Sequence, residues 1–208
     1  DAGDIVILDA RRRLVRSVLS RRANANTLLV TERCDNRCLF CSQPPNVLPD
    51  VELYRRAAMA ILNFDTDGYV GVSGGEPTLN RAAFLNMLAV LNAFSSRSKL
   101  HVLSNGRSFA DTPFANDIAV AASKQSVLWG IPLYGHRASL HDPLVGADGA
   151  FVETTMGLVN ASSLGLRIEL RIVPTQQNIA HVPRMARFIV ASFPGIVVIS
   201  VMNLEPKG

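Results

Sequence analysis

An α/β fold organised around a parallel sheet is what this sequence predicts, and three observations predict it. Short β-prone apolar segments recur along the chain, stretches of helical period separate them, and turn dipeptides punctuate the joins. Strands joined only through helices pair in parallel, because the crossover needs a dozen or more residues and a helix supplies them. Strands are expected at residues 27–31, 68–72, 100–103, 127–133, 167–173 and 196–202. Their near-continuous apolar character suits strands covered on both faces.

Residues 1–25 read as an N-terminal lead-in and residues 26–208 as one core domain. The lead-in holds a basic run, Arg11-Arg12-Arg13, Arg16 and Arg21-Arg22, within a net charge of +4. No aromatic residue interleaves that run to stack on bases, so no nucleic-acid partner is expected and the arginines read as a solvated face. The first helix is expected over 50–64, with Leu53, Ala57, Ala60, Ile61 and Phe64 on one face. The second is expected over 78–94, with Phe84, Leu85, Leu88 and Leu91 on one face and Thr78 as its N-cap. Weaker helical patterns cover 113–124, 151–164 and 179–192, and Asn105-Gly106, Leu164-Gly165 and Pro194-Gly195 mark turns. Six strands alternating with five helices fit either a doubly wound open sheet or a curved, barrel-like one, and periodicity does not choose between them.

Composition narrows the class. The chain has 208 residues, 48% hydrophobic and 18% charged, enough for one domain with a sizeable core. No apolar run approaches the roughly 20 residues that span a bilayer, so no membrane partner is expected. Residues 1–10 lack the pattern of a secretory signal. All three cysteines fall within eight residues, a poor disulfide framework but a good metal site in a reducing compartment, which points to the cytoplasm.

Those cysteines, Cys34, Cys38 and Cys41, follow the first expected strand, at the edge where parallel α/β folds gather their chemistry. Asp35, Asn36 and Arg37 between them, and Pro44-Pro45 after them, argue against a helix that would bury them as small core residues. Structural zinc normally takes four protein ligands; no fourth cysteine exists, and His101, His136, His141 and His181 are distant in sequence. Three thiolates suit instead a cubane cluster with one iron left open to a ligand. The second expected strand runs into Ser73-Gly74-Gly75-Glu76-Pro77, where paired glycines let the backbone approach a ligand and a carboxylate follows at once. His136, His141 and Asp142 fall in the loop after the fourth strand, where loop hydrogen bonding is favoured over acid–base chemistry. Ser73, Ser104 and the histidines sit in no nucleophile motif, which leaves a hydrolase without support.

The C-x3-C-x2-C spacing with Phe40 before the last cysteine, followed by Gly74-Gly75-Glu76-Pro77, resembles the signature of the radical S-adenosylmethionine (SAM) superfamily. The resemblance implies a partial (β/α)6 barrel, open and related to the TIM barrel. It implies that Cys34, Cys38 and Cys41 hold a [4Fe–4S] cluster whose fourth iron is chelated by SAM. It places Phe40 beside the adenine and Glu76 on the amino group of the methionine moiety, with Gly74, Gly75 and Pro77 shaping that grip. It makes Ser104 and Asn105 candidates for the ribose and carboxylate, Arg171 for the carboxylate (or for an ion pair with Glu169), and Val173 and Met202 for the adenine.

Residues 26–208 are most similar in detail to the C-type radical SAM maturase of the His-Xaa-Ser peptide system. Thr31-Glu32-Arg33-Cys34-Asp35-Asn36, Cys41-Ser42-Gln43-Pro44-Pro45, Leu103-Ser104-Asn105-Gly106-Arg107, Ile131-Pro132-Leu133-Tyr134 and Glu169-Leu170-Arg171 carry that likeness. It implies a ribosomally made peptide substrate, partner maturation proteins, an electron donor, and a C-terminal extension beyond the barrel. The rival expectations are a radical SAM enzyme acting on another substrate, such as a glycyl-radical activase or a small-molecule enzyme, and a non-catalytic iron–sulfur protein for electron transfer or sensing. A third, a zinc-binding nucleic-acid module, predicts zinc in place of iron.

Overall fold

The computed structural model describes residues 2–203; residues 204–208, the tail of the expected domain, lie outside the described residues. The chain opens with an antiparallel hairpin of β1 (Ile5–Asp9) and β2 (Leu14–Leu19). Sequence reading treated this segment only as a lead-in. Most of the hairpin is exposed, but Leu19 at its end is fully buried and packs into the main core.

Six strands then form one parallel sheet in the order β3 (Thr27–Thr31), β4 (Tyr69–Gly74), β5 (Lys99–Leu103), β6 (Val127–Pro132), β7 (Arg167–Ile172) and β8 (Ile196–Val201). The crossovers are α1 (Val51–Phe64), α2 (Arg81–Ala93), α3 (Thr112–Ala121), α4 (Ala138–Val145) with α5 (Ala150–Ser163), and α6 (Val182–Ser192). The strand order never reverses. Right-handed crossovers in a sheet without reversal put every helix on the same face, so the other face curls around a lumen. Strands β3 and β8 are not paired to each other, and the fold is a partial (β/α)6 barrel. This decides between the two architectures that periodicity left open.

The core lies between sheet and helices. Val30, Val70, Val72, Leu100, Val102, Trp129, Ile131, Ile168 and Leu170 point outward and are at most slightly exposed, meeting Tyr54, Ile61, Phe84, Leu88, Leu91, Ile118 and Leu158 of the helices. The opposite face is different. Gly71, Ser73, His101, Leu103, Gly130, Glu169 and Arg171 alternate with the core residues and face the lumen. The expectation of apolar cover on both faces is therefore corrected: apart from Leu103, these inner-face residues are small or polar, which leaves room for a ligand.

The helix ends show local chemistry that sequence reading partly misassigned. Asn80, not Thr78, caps α2, accepting from the Ala83 N–H, because the Thr78 hydroxyl donates to Glu76. The loop expected at 136–142 contains most of α4, which was missed because Pro143 inside it reads as a breaker. Asp142 accepts from the Gly149 and Phe151 N–H groups and so secures the start of α5.

Trp129, the sole tryptophan, is fully buried with the Phe109 ring edge-on at 4.9 Å. Phe109→Ala leaves a cavity against it and is expected to cost about 3–5 kcal/mol of stability. Chemical denaturation followed by Trp129 fluorescence measures this directly; a loss below about 1 kcal/mol would contradict the packing described.

Candidate active site

The C-terminal edge of the barrel holds a cavity of about 250 Å³ lined by residues from every part of the sheet. Cys34, Asn36, Cys38 and Cys41 come from the loop after β3, and Ser73, Gly74 and Gly75 from the end of β4. Leu103 ends β5 and Ser104 and Asn105 follow it, Gly130 and Pro132 belong to β6 with Tyr134 just after, Arg171 comes from β7, and Met202 from just after β8. Nine residues expected at a site are thus brought together: the three cysteines, Gly74, Gly75, Ser104, Asn105, Arg171 and Met202.

The cysteine loop is positioned by backbone contacts on two sides. On one, the Gly75 N–H donates to the Thr31 carbonyl at 2.9 Å and the Glu76 N–H to the Arg33 carbonyl at 2.7 Å. A Cβ on Gly74 would stand 2.2 Å from the Thr31 oxygen, and one on Gly75 would stand 2.2 Å from the Arg33 oxygen and 3.0 Å from the Cys34 Cβ. Gly74 also has φ of +148°, a region open essentially to glycine. On the other side, the Arg37 and Leu39 N–H groups donate to the Val145 and Leu144 carbonyls at the end of α4. Arg107 adds a side-chain clamp, donating to the Asp35 carbonyl and to Asn36 Oδ1, each at 2.8 Å, and pairing with Asp35 and Glu153.

Glu76 behaves differently from expectation. It is fully buried and does not line the cavity. Its carboxylate accepts from the Thr78 N–H and hydroxyl, from the Ser104 hydroxyl at 2.8 Å and from the Asn105 N–H. Burial pushes its carboxyl above the ordinary carboxylate range, while these donors pull the other way. Glu76 ties the end of β4 to the end of β5, and the backbone of Gly74 and Gly75 is what faces the cavity. Pro77 likewise turns away, its carbonyl accepting from the Tyr54 hydroxyl at 2.8 Å.

Phe40 and Val173 also stand beside the cavity rather than in its lining. They belong to a small apolar cluster with Tyr134, Leu144, Val145 and Ala150, and Phe40 packs edge-on to Tyr134 at 5.0 Å between centroids. Arg171 does not pair with Glu169. Its Nη2 lies 2.8 Å from the Met202 sulfur, a weak acceptor, and its buried Nε has no partner among the described residues. Asn36, Ser73, Leu103, Gly130, Pro132 and Tyr134 were missed as lining residues. The lumen-facing parity of Ser73 and Gly130 was the available signal; Asn36 and Tyr134 had none beyond adjacency to motif residues.

The donor set fits an iron–sulfur cluster. The three cysteines are half-buried, line one cavity and form no disulfide. Burial pushes the Cys34 thiol up to about 12 and Cys38 up to about 11, and nearby negative groups push the same way, Glu76 then Asp35 at Cys34 and Cys41 then Asp35 at Cys38. Such thiols become thiolates only with a strong cation among them. Among the described residues no group of three His, Cys, Asp or Glu side chains is arranged to hold a single metal ion. A cubane instead takes one thiolate at each iron, so its ligands stand further apart. His136 and His141 do not line the cavity. His141 is buried, its Nδ1 accepting from the Tyr134 N–H at 3.2 Å, and its ring stacks on Tyr134.

Two predictions follow from this geometry. Gly75→Ala must push the Arg33 carbonyl and Cys34 aside, costing about 1–3 kcal/mol in chemical denaturation; unchanged stability would mean the corner is looser than described. Burial lowers His141 from 6.5 to about 4. The unfolded chain therefore takes up a proton that the folded one refuses, so stability present above pH 6.5 falls as pH drops toward 4, by on the order of 3 kcal/mol. A pH series of denaturation midpoints should show that slope in the native chain and a shallower one in His141→Gln.

No protein-family model matches the chain. It is 26% identical over 160 residues to the Fe-coproporphyrin III synthase of Methanosarcina barkeri, a match covering 74% of this chain and 38% of that protein. Among solved structures, Streptococcus suis SuiB superposes with a TM-score of 0.66 at 18% identity, covering 87% of this chain and 40% of SuiB. SuiB has also been solved bound to S-adenosylmethionine and bound to its precursor peptide SuiA. The radical S-adenosylmethionine methyltransferase TsrM of Kitasatospora setae, solved with cobalamin and a [4Fe–4S] cluster, superposes with a TM-score of 0.55 at 16% identity, covering 89% of this chain and 40% of TsrM. The chain thus spans less than half the length of each of these proteins, and its partial (β/α)6 barrel is the fold that SuiB and TsrM share with it.

Proposed function

We propose that the chain is the catalytic core of a radical SAM enzyme that modifies a ribosomally made peptide of the His-Xaa-Ser type. The observation that carries the enzyme reading is the meeting of Cys34, Cys38 and Cys41 with the Gly74–Gly75 backbone in one cavity at the C-terminal edge of the barrel. A pure electron carrier needs the thiolates but has no use for the glycine corner or for the polar rim of Ser104, Asn105 and Arg171.

Cys34, Cys38 and Cys41 would hold a [4Fe–4S] cluster, and the cavity beside them would hold SAM. When bound, this pair would supply one-electron reductive cleavage of the sulfonium, the electron coming from an external donor, and with it hydrogen-atom abstraction from a substrate C–H bond. The chain's own contribution is binding and orientation. The Gly74–Gly75 backbone meets the methionine end, with Glu76 keeping that corner in shape. Arg171, which has no carboxylate partner among the described residues, would offer its guanidinium to the SAM carboxylate. Ser104 and Asn105 serve the polar part of the nucleoside. Tyr134 and Met202 form the apolar side, with Phe40 and Val173 in the apolar cluster packed behind Tyr134.

The peptide substrate rests on the residues shared with the His-Xaa-Ser maturase and draws support from SuiB, whose structure was solved with a precursor peptide. An electron donor and partner maturation proteins belong to the same proposal. So does a cytoplasmic site of action; no helix among the described residues is long and apolar enough to cross a membrane.

Anaerobic reconstitution with iron and sulfide, followed by dithionite and SAM, is expected to give 5′-deoxyadenosine. Cys38→Ala is expected to reduce it by at least about a hundredfold, since loss of a cluster ligand removes the reaction rather than slowing it. Zinc uptake in place of iron, or a brown protein that leaves SAM intact, would overturn the proposal.

A further inference from the structure

Beneath the cavity, the lumen carries a second polar layer that the cofactors leave unused. On a strand, residues i and i−2 share a face and lie about 6.5 Å apart along it. His101, Glu169 and Ser200 each stand two positions before a cavity residue of the same segment, namely Leu103, Arg171 and Met202. They form one layer a single step further from the C-terminal edge. Across it, His101 Nε2 lies 2.6 Å from Glu169 Oε2, and the Ser200 hydroxyl donates to Glu169 Oε1.

Gly130 makes this bridge possible. His101 on β5 reaches Glu169 on β7 across β6, and a Cβ on Gly130 would stand 3.0 Å from His101 Nε2. Gly130 also lines the cavity, and the space above it is shared by His101 with Leu103 and Arg171 of the cavity lining, so the two layers adjoin there. The fold has little need of the pair, because the apolar core lies on the other face of the sheet and a half-buried carboxylate–imidazole pair is a poor source of stability. His101 keeps 29% of its side chain exposed against 11% for Glu169, so the imidazole is reachable while the carboxylate that holds it is not.

We propose that His101, oriented by Glu169 and Ser200, is the hydrogen-bonding subsite that anchors the substrate in the lumen, taking an O–H or N–H group of a peptide side chain. This rests on the radical SAM peptide reading and gives it a contact residue. A carboxylate accepts, so the pairing selects the tautomer in which Nε2–H donates to Glu169 and Nδ1 is the acceptor. Serine hydroxyls and histidine N–H groups are the polar hydrogens that a His-Xaa-Ser repeat offers such an acceptor. An anchor one strand step from the cofactor cavity fixes the neighbouring C–H bonds relative to it. His101 binds; Glu169 and Ser200 position it.

The test uses the reconstituted full chain and reads 5′-deoxyadenosine with and without a synthetic peptide of three His-Ala-Ser repeats. In His101→Leu and Glu169→Gln, peptide-free formation is expected to stay within about twofold of the unmodified chain. The peptide KM is expected to rise about tenfold or more in His101→Leu and less in Glu169→Gln. Nitrogen-15 NMR of labelled histidine is expected to show the Nε2–H tautomer of His101, and its loss in Glu169→Gln. An unchanged peptide KM in His101→Leu, or a peptide-free rate that falls in step with the peptide-dependent one, overturns the subsite. If His101→Leu does not fold, the KM and tautomer of Glu169→Gln decide alone. An unmodified chain that makes no 5′-deoxyadenosine refutes the enzyme reading, and one that makes it but ignores the peptide refutes the peptide reading; either result removes this proposal as well.

Discussion

Two glycine positions bring the end of β4 against the backbone of the cysteine loop, and the rest of the site is arranged around that contact. Gly74 and Gly75 lie so close to the Thr31 and Arg33 carbonyls that no side chain fits at either position. The contact places the Gly75 and Glu76 N–H groups on those carbonyls, closes the corner beside Cys34, and leaves Glu76 pointing inward to gather four donors from β4 and β5. One buried carboxylate therefore connects the corner beside the cysteines to the polar rim at Ser104 and Asn105. The cost of burying it is offset by donors that have few other partners, which is the condition under which a buried charge organises a site.

The barrel topology explains why such a site has room to exist. Because strand order runs without reversal, the main apolar core lies outside the sheet and the lumen is largely released from duty to it. Small residues at Gly71, Ser73 and Gly130 then open the lumen, and polar ones at His101, Glu169 and Arg171 line it. The cavity at the C-terminal edge and the His101–Glu169–Ser200 layer one step below it follow from the same alternation of side chains along each strand.

Much of this was legible in the sequence. The six sheet strands were found within two residues of their observed ends, because outward-facing β-branched and apolar residues such as Val70, Val72, Leu100 and Val102 mark them strongly. The cysteines and the glycine pair announced themselves by spacing. What escaped depended on three-dimensional partners. Nothing local distinguishes an exposed glutamate after Gly-Gly from one that turns inward to meet Ser104 and Asn105, about thirty residues away in sequence. The His101–Glu169 pair spans 68 residues and needs Gly130 as a gap, a relation no window of sequence contains. Helix α4 was hidden by Pro143, and the β1–β2 hairpin by the assumption that a basic segment is only solvated.

In the proposed enzyme, Cys34, Cys38 and Cys41 would hold three irons of the cluster and leave the fourth open to SAM at the glycine-lined cavity. Mössbauer spectroscopy of iron-57-reconstituted chain, before and after SAM is added, observes that fourth iron directly. The account predicts a [4Fe–4S] spectrum in which one iron site alone changes its isomer shift and quadrupole splitting when SAM binds. A spectrum that SAM leaves untouched, with all iron sites equivalent, would contradict it.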